Sequence, residues 1–147
     1  MTPARVGTLV FFTIVIGPLF TAPGYSVQSH SISELGAQTT PNSWIMNVGF
    51  VSFGIGVLPD AVMRFRSTPI GALSFSVFGL SMILTGFFSH RPIDLSLPYD
   101  VVHDQLHTFF SGAIGTSFAV GTLSFAFSEP ARLAKVACAA ASASVER

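Results

Sequence analysis

The sequence predicts an all-α integral membrane four-helix bundle with both termini in the cytoplasm and a short interfacial helix in the first outer connection. Three observations carry that prediction. Charged residues make up only 10% of the 147, where a soluble domain carries about a quarter, and half the chain is apolar with a mean hydropathy of +0.63. Four stretches are free of charge over about the 17 to 25 residues needed to cross a hydrocarbon core. Six of the seven basic residues, Arg5, Arg64, Arg66, Arg132, Lys135 and Arg147, fall on the side that four spans assign to the termini, and only Arg91 falls on the other. The positive-inside rule then places the termini in the cytoplasm.

The elements follow in order. A transmembrane domain over residues 1–128 holds spans at about 6–24, 43–62, 70–89 and 104–127, and residues 129–147 form a cytoplasmic tail. The first span contains Gly17-Pro18, which membrane helices tolerate when neighbours re-satisfy the freed carbonyl. A cleaved signal sequence, with Arg5 as its basic start and Ala22 at the cut, competes for the same stretch, but Phe20 stands where a small residue belongs. In the first outer connection, Ser31-Ile32-Ser33-Glu34 has the spacing of a capping box and predicts a short helix through about Ala37. Thr40-Pro41 reads as the cap and first residue of the second span, with Trp44 at headgroup level. In the tail, Val136 to Val145 is too short and too rich in alanine and serine to span, and reads as a frayed tail or a surface helix.

Small residues predict close helix packing. Ser111, Gly115 and Ala119 recur every four residues in the fourth span, and Gly49, Gly54, Gly56, Gly71, Gly79 and Gly86 populate the second and third. The default reading is packing within the bundle, with the fifteen phenylalanines as core or lipid contacts. Several function classes lose support. The single Cys138 rules out a disulfide framework and a CxxC metal site. A net charge of zero without a basic stripe gives nucleic-acid binding no basis.

The titratable chemistry is unevenly spread. All four histidines, His30, His90, His103 and His107, lie in or at the mouths of the two outward connections, together with Glu34, Asp94, Asp100 and Asp104. At about 100° per residue, with Asp100 at zero, His103 falls at roughly −60°, Asp104 at roughly +40°, His107 at roughly −20° and Ser111 at roughly +20°. These five form one polar stripe, which should face the bundle, since polar groups at membrane depth need a cavity or a partner.

Two histidines at i and i+4 around an acid can ligate a divalent metal, with zinc the best match to N and O donors, as in H-E-x-x-H. A third ligand would come from His30, His90, Glu34 or Asp94, and Asp104 or Glu34 would act as general base. The competing structural reading has Asp100 capping the fourth helix, Asp104 complementing its positive end, the histidines bonding across the interface and Glu34 serving only its cap. Asn47, one turn into the second span, needs a partner on either reading.

The runs His30-Ser31-Ile32-Ser33-Glu34-Leu35-Gly36, Asn47-Val48-Gly49-Phe50, Thr85-Gly86-Phe87-Phe88 with Asp94, and His103 to His107 resemble the bacterial and archaeal membrane proteins grouped as domain of unknown function 998. The resemblance runs from about Gly17 to about Ala126. It implies a polytopic protein of the bacterial or archaeal cell membrane with no assigned activity. Members typically carry about six spans, so this chain reads as a short version or one that has lost its last helices.

Three functions remain open. The first is a non-catalytic protein whose outer pocket of His30, Glu34, Asn47, Asp94, His103 and His107 binds a lipid headgroup, an ion or a partner. The second is a metal-dependent hydrolase of a lipid-like ester or amide, with the metal on His103 and His107. The third is a haem or redox protein, disfavoured because paired axial histidines belong deeper in facing spans. Membrane lipids are the expected surroundings, with a second copy or another membrane protein as the expected macromolecular partner.

Overall fold

The computed structural model describes residues 2–3, 5–12, 22–64 and 68–145, and for residue 64 and residues 129–145 only the backbone. The described elements are all helical. Helix α1 covers residues 5–12, and residues 13–21 of the predicted first span lie outside the described residues, as does Arg66. A 3-10 turn at Ile32–Gly36 is followed by α2 (Ser43–Arg64), α3 (Pro69–Phe87) and α4 (Val101–Val145).

Three helices are long and apolar enough to cross a membrane, at Ser43–Met63, Pro69–Phe87 and Val101–Ser128. Their outer faces carry large apolar side chains in the open, among them Trp44, Ile55, Leu73, Leu80, Phe109 and Phe127. In water such faces would aggregate, whereas in a bilayer they meet acyl chains. The chain is therefore a multi-pass membrane protein. Several hydroxyls on these spans are satisfied within their own helix: Thr122 Oγ1 donates to the Phe118 carbonyl at 2.8 Å and Ser117 Oγ donates to the Ala113 carbonyl at 2.5 Å. That local bonding lets a hydroxyl lie in lipid without an orphaned donor.

Helix α3 stands between α2 and α4 and packs on both. The α2–α3 crossing depends on Gly54 and Gly79, because a Cβ at Gly54 would collide with the Gly79 carbonyl and with Ile83. Helix α1 crosses α2 where a Cβ at Gly7 would come within 2.9 Å of the Ser52 carbonyl oxygen. Phe11 fills the space beside that crossing, with ring centroids 5.7 Å from Phe50 and 5.4 Å from Phe53. On the other side of α3, Phe118 reaches both Phe75 and Phe78, at 6.3 and 5.7 Å.

The predicted small-residue stripe on α4 does not serve this packing. A Cβ at Gly115 would meet nothing within 4 Å, and Ala119 is exposed. Helix α4 meets α3 instead through Phe118, which packs on Phe75 and Phe78, and through Gly121, where a Cβ would come within 2.9 Å of the Phe75 ring. The helix also runs unbroken to Val145, a rise of about 67 Å, so the predicted tail continues the fourth helix beyond its membrane-length portion. At the start of α2, Pro41 and Asn42 form a turn, with Asn42 at φ 60°, and the helix begins at Ser43.

Candidate functional site

The end of the bundle that holds the start of α2 and the end of α3 is built from the two polar connections and the first turns of α4. The predicted capping box forms. Glu34 Oε2 accepts the Ser31 N–H at 2.6 Å, which directs the carboxylate back onto its own turn. That turn drives Leu35 into the core beside Met46, both fully buried. Gly36 then lies so close to α2 that a Cβ would come within 2.5 Å of Asn47 Oδ1. The Ile-Ser-Glu-Leu-Gly run is thus a docking device for the first connection: cap, buried anchor, close approach.

Gln38 ties the two connections together. Its side-chain amide donates to the Ser89 carbonyl at 3.1 Å and the Asp100 carbonyl at 2.9 Å, while its Oε1 accepts the Asp100 N–H at 2.7 Å. Its backbone N–H donates to the His90 carbonyl at 2.8 Å. Asn47 finds the partner its depth demands in Ser89, at 3.2 Å. Asp100 also caps α4, its Oδ1 accepting the N–H groups of Val102 at 2.8 Å and His103 at 3.1 Å.

The inward face of α4 clamps Phe88, the residue that caps the end of α3. Phe88 lies edge-on to His103, with centroids 5.4 Å apart, and stacks on Phe110 at 5.8 Å. Its carbonyl accepts a hydrogen bond from His107 Nδ1 at 2.7 Å. A carbonyl can only accept, so Nδ1 carries the proton and Nε2 of the neutral ring is left as an acceptor. That Nε2 is enclosed without a hydrogen-bond partner, and His107 is 3% exposed.

The His90 ring stacks on His107, with centroids 5.1 Å apart and 24° between planes. Its Nδ1 lies 2.6 Å from Asp104 Oδ1, a close polar contact without the alignment of a hydrogen bond. The same carboxylate oxygen accepts the Arg91 N–H at 2.9 Å. Asp104 therefore fixes the second connection to α4 besides complementing the helix end.

The predicted site residues fall into separate groups. His103, Asp104 and His107 come together with His90, and Asn47 and Asp100 border them through Ser89 and Gln38. Ser111 follows on the same helix, half-buried. The contacts of His30 and Glu34 stay within the first connection: His30 Nδ1 accepts the Ser26 N–H at 3.0 Å and its ring faces Tyr25. Burial, and then the Glu34 carboxylate, hold the Tyr25 hydroxyl above the usual phenol range. Among the described residues, no group of three His, Cys, Asp or Glu side chains is placed to hold a metal ion. The donors proposed for that task are turned to other work, His107 Nδ1 on Phe88 and His90 Nδ1 on Asp104.

Asp94 belongs to a third group. Its Oδ1 accepts both the Ser96 hydroxyl, at 2.7 Å, and the Ser96 N–H, at 3.0 Å, and these bonds hold its carboxyl below the usual aspartate range. It lies at a groove of about 320 Å³ formed where both connections meet. Pro23, Pro41, Pro92, Ile93 and Leu97 give the walls, and Thr39 and Thr40 add polar lining. Thr39 is held at φ 64°, in the left-handed region, where a β-branched residue costs about 1 to 3 kcal/mol and persists only when its surroundings fix it.

Gln38 and Ser89 were not singled out in the sequence, Phe88 entered only as the end of the Thr85 to Phe88 run, and His90 figured only as a spare ligand. The available signal was position: Gln38 begins the polar run between Gly36 and Pro41, and His90 follows the end of the third span.

An apolar helical bundle closed at one end by two interlocked polar connections defines a class of polytopic membrane protein. The chain belongs to a particular family of that class, the proteins of unknown function grouped as DUF998, whose family model matches residues 5–145. No curated protein and no solved structure matches the chain.

Proposed function

We propose that this protein is a non-catalytic binding or accessory protein of the bacterial or archaeal cell membrane, whose outward end takes up a lipid headgroup, an ion or a partner. The observation that carries this reading is the interlock made by Gln38, Asp104 and His107. It joins both connections and α4 into one surface held by the protein's own hydrogen bonds, and sites on a surface ordered in that way bind with little further ordering. The outward orientation rests on the distribution of basic residues, with Arg91 alone at this end. The zinc-hydrolase alternative has no donor set of three behind it among the described residues.

Native mass spectrometry of protein released from lipid nanodiscs tests the reading. The wild type retains an adduct of discrete stoichiometry, and Gln38→Ala, which loosens the surface without touching the groove lining, releases it. No discrete adduct on the wild type overturns the proposal, and stoichiometric zinc in its place establishes the alternative.

A further inference from the structure

We infer that the groove at the junction of the two connections is a binding site for a protonated primary amine, of the kind carried by an ethanolamine headgroup. The inference rests on the binding reading above and gives it a ligand chemistry. Among the described residues that line the groove, Asp94 is the one charged side chain. Both of its hydrogen bonds fall on Oδ1, which leaves Oδ2 to accept from a ligand. The tether to Ser96 fixes the carboxylate and favours its ionised form, so it presents a negative charge throughout the neutral range.

The rest of the lining selects among cations. A primary ammonium has three N–H donors, and the residues lining the groove include one carboxylate and two threonines, Thr39 and Thr40, a residue type whose hydroxyl can accept. A quaternary ammonium is recognised by aromatic faces, and none of the lining residues is aromatic. A calcium ion needs about six to eight oxygen ligands, whereas this groove holds a single carboxylate. Inorganic phosphate meets no basic side chain there.

The size fits. A volume of about 320 Å³ lies at the lower end of the range for small-molecule sites, about 300 to 1,000 Å³. The walls of Pro23, Pro92, Ile93 and Leu97 suit the short carbon stem beside the charge. Left-handed Thr39 and the rigid prolines hold the groove in shape before the ligand arrives.

The amine could come from a phospholipid or from solution, and two measurements on the full chain in nanodiscs distinguish the sources. In discs of phosphatidylglycerol alone, ethanolammonium chloride is titrated by calorimetry; in discs with added phosphatidylethanolamine, retention of that lipid is read by native mass spectrometry. Binding in the first arm assigns the soluble amine, and selective retention in the second assigns the headgroup. In whichever arm binds, Asp94→Asn weakens binding about tenfold, while Ser96→Ala, which keeps the charge, stays within about threefold of wild type. Asparagine keeps an oxygen for the Ser96 bonds, and an unchanged unfolding midpoint confirms that the turn survives. Equal binding by wild type and Asp94→Asn, binding in neither arm, or binding of inorganic phosphate as tight as that of ethanolammonium overturns the assignment. If it falls while the wild type still retains another adduct that Gln38→Ala releases, the proposed binding function stands without it.

Discussion

Substituting His107 three ways separates its structural role from a ligand-binding one. In the wild type Nδ1 donates to the Phe88 carbonyl at 2.7 Å, the ring stacks on His90, and Nε2 is enclosed without a partner. Alanine removes the bond, strands a carbonyl and opens a void, and should destabilise the protein by about 2 to 4 kcal/mol. Asparagine places its amide nitrogen close to where Nδ1 lies and restores the donor, so its loss should be only about 1 to 2 kcal/mol. Glutamine mimics Nε2 and should fare nearly as badly as alanine. Reversible unfolding in mixed micelles, followed by helical circular dichroism, gives the order histidine, asparagine, then glutamine and alanine. Glutamine matching histidine while asparagine falls to the level of alanine would refute the reasoning, because Nε2 would then be the nitrogen that matters.

Other outcomes follow from the same geometry. Gly54→Ala forces a Cβ against the Gly79 carbonyl and should lower stability by about 1 to 3 kcal/mol, whereas Gly115→Ala, with nothing within 4 Å of the new Cβ, should change it by less than about 0.5 kcal/mol in the same unfolding assay. Gln38→Ala removes three side-chain hydrogen bonds and should speed amide exchange at Asp100 by about tenfold, measured by mass spectrometry. The depressed carboxyl of Asp94 fixes the sign of a pH effect: the charge, and the stability its hydrogen bonds lend the turn, are fully present above the unfolded aspartate value of about 3.9 and are lost as pH falls through the lower folded value. Amine binding titrated by calorimetry should accordingly stay level from neutral pH down into the ordinary aspartate range and collapse only below it.

Much of the fold was legible because a bilayer simplifies the code. The apolar runs that became α2, α3 and α4 stand out by composition, and the caps at Glu34 and Asp100 follow from residue type and spacing. The end of α4 was less legible, since apolar composition marks where a helix leaves the membrane but not where it stops. The orientation of the small-residue stripe was missed because every-fourth spacing places residues on one face without saying which neighbour that face meets. The site was legible only where chemistry is local. His103, Asp104 and His107 share a face by helical geometry, but the joining of His90 to Asp104 and of Gln38 to Ser89 and Asp100 depends on how two loops fold over one another. No periodicity records that. His30, Glu34 and Asp94 drew attention by residue type, and each bonds within its own turn.

The most direct test of an outward-facing binding surface is labelling of intact cells with a membrane-impermeant maleimide. Gln28→Cys and Ser96→Cys, at exposed positions in the two connections, are each placed in a Cys138→Ser background and compared with the native Cys138 on α4. Both introduced thiols should react in intact cells, and Cys138 only after the membrane is permeabilised. Labelling of Cys138 in intact cells, with the two introduced thiols reacting only after permeabilisation, would contradict the proposed orientation and turn the groove to the cytoplasm.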